Sequence, residues 1–168
     1  MTTLEKFIRW VVIPVSKLKE IPNGDGAFAA MSIGCALCER YHRIKTTSQD
    51  KWDDDRFLAT AAHDLGVDED FFEDFWDMFR NGLQHQMTPK WRSGVPAKNR
   101  KPYKWAISSS PSFSHAPTIR MNKAGEQVIC IDPWRFTSFW ISRFLESPTY
   151  LDDAVHHAFG GIFDASEL

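Results

Sequence analysis

The stretch from Phe71 to His85 constrains the fold of this chain most strongly. Asp68 is a candidate N-cap ahead of it, and Glu69 and Asp70 lie in the first turn, where the helix dipole favours negative charge. Its apolar residues recur at spacings of three and four, on one side of an α-helix: Phe71, Phe72, Phe75, Trp76, Met78, Phe79 and Leu83. Because so large an aromatic face must be buried, the stretch predicts a helical domain with an aromatic core.

Helical periodicity recurs in the chain before this stretch. An N-terminal helix contains Pro14, which should kink or divide it. A second helix, from about 27 to 44, is uncharged over 26–38 and rich in small residues, so it should be central and closely packed. A third helix should end at Gly66. The short connections favour an antiparallel, up-and-down bundle over residues 3–86.

The chain changes character after His85. Residues 87–115 contain four prolines, which indicate a long loop with a short strand at Tyr103–Ile107. Alternating apolar residues near 117–131 predict a β-hairpin, and Asp132 followed by Pro133 predicts the start of C-terminal helices over 132–160. The expected architecture is therefore mainly α, a single domain over 1–168 that combines an antiparallel helical bundle with a small β-hairpin.

The charges of this chain are unevenly distributed along the sequence. The net charge is only −2, but eleven acids fall between Lys45 and Asp77, and eight Lys/Arg with no acid fall between Gln86 and Gly125. Such an asymmetry marks either a partner surface or two solvated faces.

No apolar stretch approaches membrane-spanning length and no secretory signal is visible, so we expect a cytoplasmic protein that does not bind a membrane.

Cysteine spacing raises the question of a metal site. Cys35, Cys38 and His42 share one helix face, but a structural zinc needs a fourth ligand, which usually comes from a second clustered pair. Because the surrounding run is apolar, we interpret the cysteines as buried thiols in a reducing compartment. The sequence therefore predicts no metal and no cofactor.

Arg80 and His85 combine a permanent cation with an imidazole at the end of the predicted aromatic helix. Arginine can hold two phosphate oxygens, and histidine can move a proton near neutral pH. If Arg80 and His85 from two copies lined one cleft, they would suit metal-free RNA cleavage. The alternative is structural: Arg80 pairs with Asp77 or stacks on Trp76, and His85 is a polar residue near a helix end.

The segment Arg80-Asn81-Gly82-Leu83-Gln84-His85 resembles the signature of the HEPN superfamily (higher eukaryotes and prokaryotes nucleotide-binding domains). In that signature an arginine, often followed by a polar residue, precedes a histidine by four to six positions. The resemblance implies an all-helical bundle that is usually dimeric, and in active members a metal-independent endoribonuclease. Carried over to this chain, it assigns catalytic roles to Arg80, Asn81 and His85 alone.

A basic, aromatic loop directly follows this motif. Cations beside stacking rings suit single-stranded RNA. The candidate RNA-binding residues are Lys90, Trp91, Arg92, Lys98, Arg100, Lys101 and Lys104. In the alternative interpretation, the tryptophans anchor the loop to the helices while the lysines stay solvated.

The sequence therefore leaves two classes of function open. The leading hypothesis is a homodimeric, HEPN-like protein that engages single-stranded RNA, with Arg80 on the phosphate, His85 on the proton and Asn81 orienting the motif. The other is a non-enzymatic dimeric interaction or regulatory module. A helical domain that binds a nucleotide without cleaving RNA lies between the two.

Overall fold

The computed structural model describes residues 1–46, 54–86, 88–89 and 103–152, and leaves the side chains of residues 85 and 86 outside the description. The chain starts with α1 (Thr3–Phe7), a π-helical turn (Ile8–Val12) and α2 (Ile13–Leu18). The irregularity expected at Pro14 is this π-turn, which lies directly ahead of the proline and keeps the backbone helical. Phe7, Val11 and Val15 bury the inner side of the segment.

Helices α3 (Ala27–Thr46) and α7 (Pro133–Leu145) pack against each other at the centre of the molecule. The predicted central position of α3 is confirmed by its buried residues, among them Met31, Gly34 and Cys38. A Cβ atom at Gly34 would lie 2.6 Å from Thr137 Oγ1, so glycine lets the two backbones approach. The Thr137 hydroxyl donates to the carbonyl oxygen of Ala30 on α3, at 2.7 Å, which ties the helices together.

The aromatic stretch forms a continuous helical segment. After α4 (Asp54–Leu65) come α5 (Glu69–Trp76), a π-helical turn (Asp77–Asn81) and α6 (Gly82–Gln86). Asp68 caps α5 as predicted, by accepting a hydrogen bond from the Phe71 N–H at 3.1 Å. The fully buried residues confirm the predicted apolar face: Phe72, Phe75, Met78 and Phe79.

A three-stranded sheet covers one side of the helices. Strands β1 (Lys104–Ile107), β2 (Thr118–Met121) and β3 (Gln127–Ile131) lie in the order β1-β3-β2. β2 and β3 form the predicted antiparallel hairpin, and the predicted short strand adds to β3 in parallel as β1. Asp132 then caps α7 by accepting from the backbone N–H groups of Trp134 and Arg135 at 2.9 and 3.0 Å.

The protein is thus mainly helical with a small sheet. The core continues past residue 86, because Phe136, Trp140 and Phe144 of α7 are fully buried. Helical backbone resumes at 148–152, and the rest of the predicted last helix lies outside the described residues. Among the described helices, none combines the length and the apolar character needed to span a membrane.

Candidate functional site around Arg80

Arg80 lies in the π-helical turn that joins α5 to α6. The turn runs from Asp77 to Asn81 and buries Met78 and Phe79, while Arg80 and Asn81 stay partly exposed. A π-turn inside an α-helix inserts an extra residue and re-aims the side chains around it, and such turns are frequent at functional sites. The sequence pattern predicted a regular helix here and did not indicate the turn.

The guanidinium of Arg80 is held by two oxygens from different elements. Its Nε and Nη2 atoms donate to Oε2 of Glu39 on α3 at 3.2 and 3.0 Å, and its Nη1 donates to Oδ1 of Asn81 at 3.0 Å. The Asn81 amide nitrogen donates to Oδ1 of Asp77 at 2.8 Å. Glu39 is therefore a carboxylate partner of Arg80, and Asn81 links the guanidinium to Asp77.

Glu39 holds a second arginine with its other oxygen. Nη2 of Arg43, one helical turn along α3, donates to Oε1 of Glu39 at 2.8 Å. The side chain of Glu39 is 15% exposed and that of Arg80 26% exposed, so the Arg80 contact is partly shielded from water. The two guanidinium groups thus share the carboxylate of Glu39, one on each oxygen.

Sequence reasoning missed both Glu39 and Arg43. The only local signal was their separation of four residues, an ordinary stabilising ion-pair spacing on a helix. That spacing carries no information about Arg80, which lies 41 positions from Glu39 and meets it only through the packing of α3 on the π-turn.

An open cleft of about 420 Å³ extends from this cluster between α3, α4 and α5; we call it the Arg80 cleft. Phe57, Leu58 and Trp76 provide its apolar wall. Five carboxylates and two guanidinium groups also line it, from Glu39, Asp54, Asp55, Glu73, Asp77, Arg43 and Arg80. The Arg80 cleft is therefore acidic in sum, although the two arginines make one part of its lining cationic.

The structure leaves most of the other predicted site residues outside its description. His85 belongs to α6 by its backbone, but its side chain is outside the described part, so its proximity to Arg80 stays a prediction. Six of the predicted RNA-binding residues lie outside the described residues, so their role stays a prediction: Lys90, Trp91, Arg92, Lys98, Arg100 and Lys101. Lys104 is described: it begins β1, and its Nζ lies 2.8 Å from Oε2 of Glu126.

The cysteines are buried thiols, as predicted. Cys35, Cys38 and Cys130 are all free and buried. Burial raises the pKa of Cys35 and that of Cys38 well above the ordinary value, so both thiols stay protonated at neutral pH. In the parts of the chain that the structure describes, no three side chains of the metal-binding types come together.

His42 has a structural environment rather than a catalytic one. Its fully buried ring packs edge-on against Trp140 and Phe57, with ring centres 5.2 and 5.8 Å away. Burial lowers the pKa of His42 to about 4, although the carboxylate of Asp64, 3.7 Å from Nε2, opposes this. The imidazole is therefore neutral near neutral pH and enclosed by aromatic rings.

Comparison with known proteins adds no family assignment: the chain matches no protein-family model, no curated protein and no solved structure.

Proposed function

We propose that this protein engages single-stranded RNA and cleaves it without a metal, in the manner of HEPN-like ribonucleases. The observation that carries the proposal is the way Arg80 is held. Glu39 and Asn81 fix its guanidinium beside an open cleft, and its contacts with described residues engage three of its five N–H donors. An oriented cation with donors left over is suited to a phosphodiester oxygen.

The chemistry follows from these donors and from His85. The two remaining N–H groups of Arg80 bind non-bridging phosphate oxygens and stabilise the charge that grows on them as the 2′-hydroxyl attacks phosphorus. His85 takes the proton of that hydroxyl or gives a proton to the departing 5′-oxygen. The products are a 2′,3′-cyclic phosphate and a 5′-hydroxyl end, and neither step requires a metal ion or a cofactor.

The carboxylates of the Arg80 cleft restrict how RNA approaches. Negative side chains such as Asp54 and Asp55 repel phosphates. The phosphate backbone of the RNA should therefore contact Arg80 at the rim of the Arg80 cleft and stay out of its interior. Affinity must then come from elsewhere, and the basic residues between Lys90 and Lys104 are the source that we propose. Binding should accordingly weaken steeply as salt is raised.

The remaining parts of the proposal concern assembly. We propose that residues 3–86 form an antiparallel bundle, that two copies associate as a homodimer, and that their Arg80 and His85 side chains line one shared cleft. The protein would act on RNA in the cytoplasm. Support comes from the resemblance of the Arg80–His85 segment to the HEPN signature and from the position of Arg80 in the π-turn that follows α5.

The test is cleavage of a fluorescent single-stranded RNA in excess EDTA. We expect cleavage by the unmodified protein, and a loss of about a hundredfold or more in Arg80→Ala and His85→Ala. Arg9→Ala, at an exposed position of the N-terminal helical segment, is the matched control and should cleave normally. An RNA with a 2′-deoxy sugar at the cleavage site should resist. Undiminished cleavage by Arg80→Ala, or cleavage abolished by EDTA, would contradict the proposal.

A second candidate function rests on the acidic lining of the Arg80 cleft. Five carboxylates against two guanidinium groups favour a basic partner, as expected of a non-enzymatic interaction module. A synthetic lysine-rich peptide should then bind in a salt-sensitive way, and Asp55→Lys should abolish the binding. If the double variant Arg80→Ala, His85→Ala binds the peptide unchanged and no RNA cleavage is found, the interaction module is the better explanation.

A further inference from the structure

Strand β2 has an unpaired outer edge in the part of the chain that the structure describes. The sheet order β1-β3-β2 gives β2 one neighbour, β3. The N–H of Asn122 donates to the carbonyl oxygen of Glu126 at 3.0 Å, where the β2–β3 hairpin closes. Because backbone groups alternate along an antiparallel strand, Arg120 and Thr118 also face β3, and the N–H and C=O groups of Ile119 and Met121 face outward.

The same two residues carry exposed apolar side chains. Ile119 is in register with Ile129, which is fully buried, and with Trp105 beyond it, so all three side chains lie on the core side of the sheet. Met121 lies on that side too, two residues further along. Yet Ile119 is 41% exposed and Met121 61% exposed. The apolar surface of the sheet thus continues outward beyond the helices that cover its centre.

Charge on the opposite side indicates what could pair with this edge. Arg120 points away from the core, where its guanidinium lies 5.1 Å above the Phe113 ring and donates to the Ser112 carbonyl oxygen, while the residue remains exposed. Lys123, an exposed residue in the turn that follows β2, adds a second positive charge close to this strand. An incoming strand would place apolar side chains beside Ile119 and Met121 and an acidic side chain beside Arg120.

A second copy of β2 fits this edge poorly. The antiparallel register that uses all the outward backbone groups pairs Ile119 of each copy with Met121 of the other. It therefore sets Arg120 directly opposite its own equivalent, and like charges in that position destabilise a strand pair. A strand that alternates apolar and acidic residues meets the same backbone groups without this repulsion.

We propose that β2 is a docking edge for an extended segment of a partner protein in which apolar and acidic residues alternate. The segment adds as a fourth strand, antiparallel to β2, and the backbone of its apolar residues bonds to the outward groups of Ile119 and Met121. Its apolar side chains cover those two residues, and an acidic side chain pairs with Arg120. This inference is independent of the proposed RNA chemistry, because it uses no residue of the Arg80 cluster.

The probe for this edge is a fluorescein-labelled synthetic peptide in which valine alternates with glutamate, titrated against the full chain and followed by fluorescence anisotropy. We expect saturable binding. Met121→Pro removes one outward N–H and leaves the β2–β3 ladder intact, so binding should weaken about tenfold. Ile119→Thr should weaken it as well, whereas Ile13→Thr, a change of the same kind at a residue that is 48% exposed on α2, should not.

Two altered peptides keep the test decisive even if a variant folds poorly. A peptide N-methylated at its valines cannot donate to the edge, and one with lysine for glutamate is repelled by Arg120; both should bind the unmodified protein about tenfold more weakly. Absent or non-saturable binding of the valine–glutamate peptide, or equal binding of either altered peptide, would overturn the proposal. Self-association that Met121→Pro abolishes, without peptide binding, would overturn it in favour of a second copy.

Discussion

Helix α3 carries two polar side chains three residues apart that meet opposite environments. Glu39 lies on the side that lines the Arg80 cleft, where two guanidinium groups bind its two oxygens. His42 lies on the core side, fully buried between Trp140 and Phe57. Both are polar groups that burial would penalise if they were charged and unpaired. Glu39 is paired with two guanidinium groups, and His42 avoids the penalty by staying neutral near neutral pH.

The two environments allow different chemistry. A neutral imidazole enclosed by aromatic rings contributes shape and exchanges no proton with a substrate near neutral pH. The carboxylate of Glu39, by contrast, fixes Arg80 at the edge of an open space while donors remain. The core side of α3 thus contributes to stability and the cleft side belongs to the proposed site, so substitutions on each side should have different consequences.

The largest expected effect is on the core side and depends on pH. The pKa of His42 falls from 6.5 in the unfolded chain to about 4 in the fold, so the unfolded chain binds the proton first as the pH drops. Above the unfolded pKa, His42 does not reduce the free energy of unfolding. As the pH falls from the unfolded pKa to the folded pKa of His42, the free energy of unfolding decreases progressively. Between about pH 7 and about pH 4, His42 should remove about 3 kcal/mol from the free energy of unfolding.

This effect is measured by comparing urea unfolding of the unmodified protein and His42→Phe across the pH range. Phe keeps an aromatic ring in the site and removes the titration, so the free energy of unfolding should fall less in the variant. His63→Gln is the control, because the side chain of His63 is 87% exposed. Parallel curves for His42→Phe and the unmodified protein would show that His42 does not titrate as the fold implies.

The next effect belongs to the cleft side and tests the role of Glu39. Glu39→Gln keeps the shape of the side chain but removes the charge that holds Arg80 and Arg43 together. Misplacement of Arg80 should reduce the rate of the proposed RNA cleavage about a hundredfold. The readout is the single-turnover rate in EDTA, and Glu20→Gln, which alters an exposed ion pair with Lys17, serves as control. Full activity in Glu39→Gln would mean that Arg80 needs no such support.

A smaller effect is expected where α3 meets α7. Gly34→Ala would ordinarily favour the helix, but its Cβ would lie 2.6 Å from Thr137 Oγ1 and 2.7 Å from Phe136 Cδ1. The helices must move apart, and the free energy of unfolding should fall by about 2 kcal/mol. Thermal or urea unfolding measures this change, with Ser32→Ala on the exposed side of the same helix as reference. A gain in stability would show that the α3–α7 contact adapts easily.

The smallest effect concerns Asn81, which accepts a hydrogen bond from Arg80 and donates one to Asp77. Asn81→Ala removes an acceptor for Arg80 Nη1 and a donor to Asp77. Because these contacts are only partly buried, the free energy of unfolding should fall by about 1 kcal/mol. Urea unfolding beside Gln84→Ala, an exposed position on α6, measures it. A loss as large as that of Gly34→Ala would place Asn81 among the core-stabilising residues.

Local patterns predicted the elements of this fold well. The aromatic face of α5, its Asp68 cap, the hairpin and the Asp132-Pro133 start of α7 all depend on residues within a few positions of one another. The π-turn at Arg80 left no such signal, because helical dihedral angles continue through it and only the hydrogen-bond spacing changes. The packing of α7 on α3 left no local signal either, because it joins residues as far apart as Ala30 and Thr137.

Periodicity and capping are short-range properties, so residues close together in the chain were sufficient to predict the helical elements, the Asp68 and Asp132 caps and the buried cysteines. Three features follow from the packing of the whole fold: Glu39 holds Arg80, an acidic cleft opens beside them, and Ile119 and Met121 form an edge that no described strand covers. These features join residues far apart in the chain, and which distant side chains meet depends on how helices and strands pack.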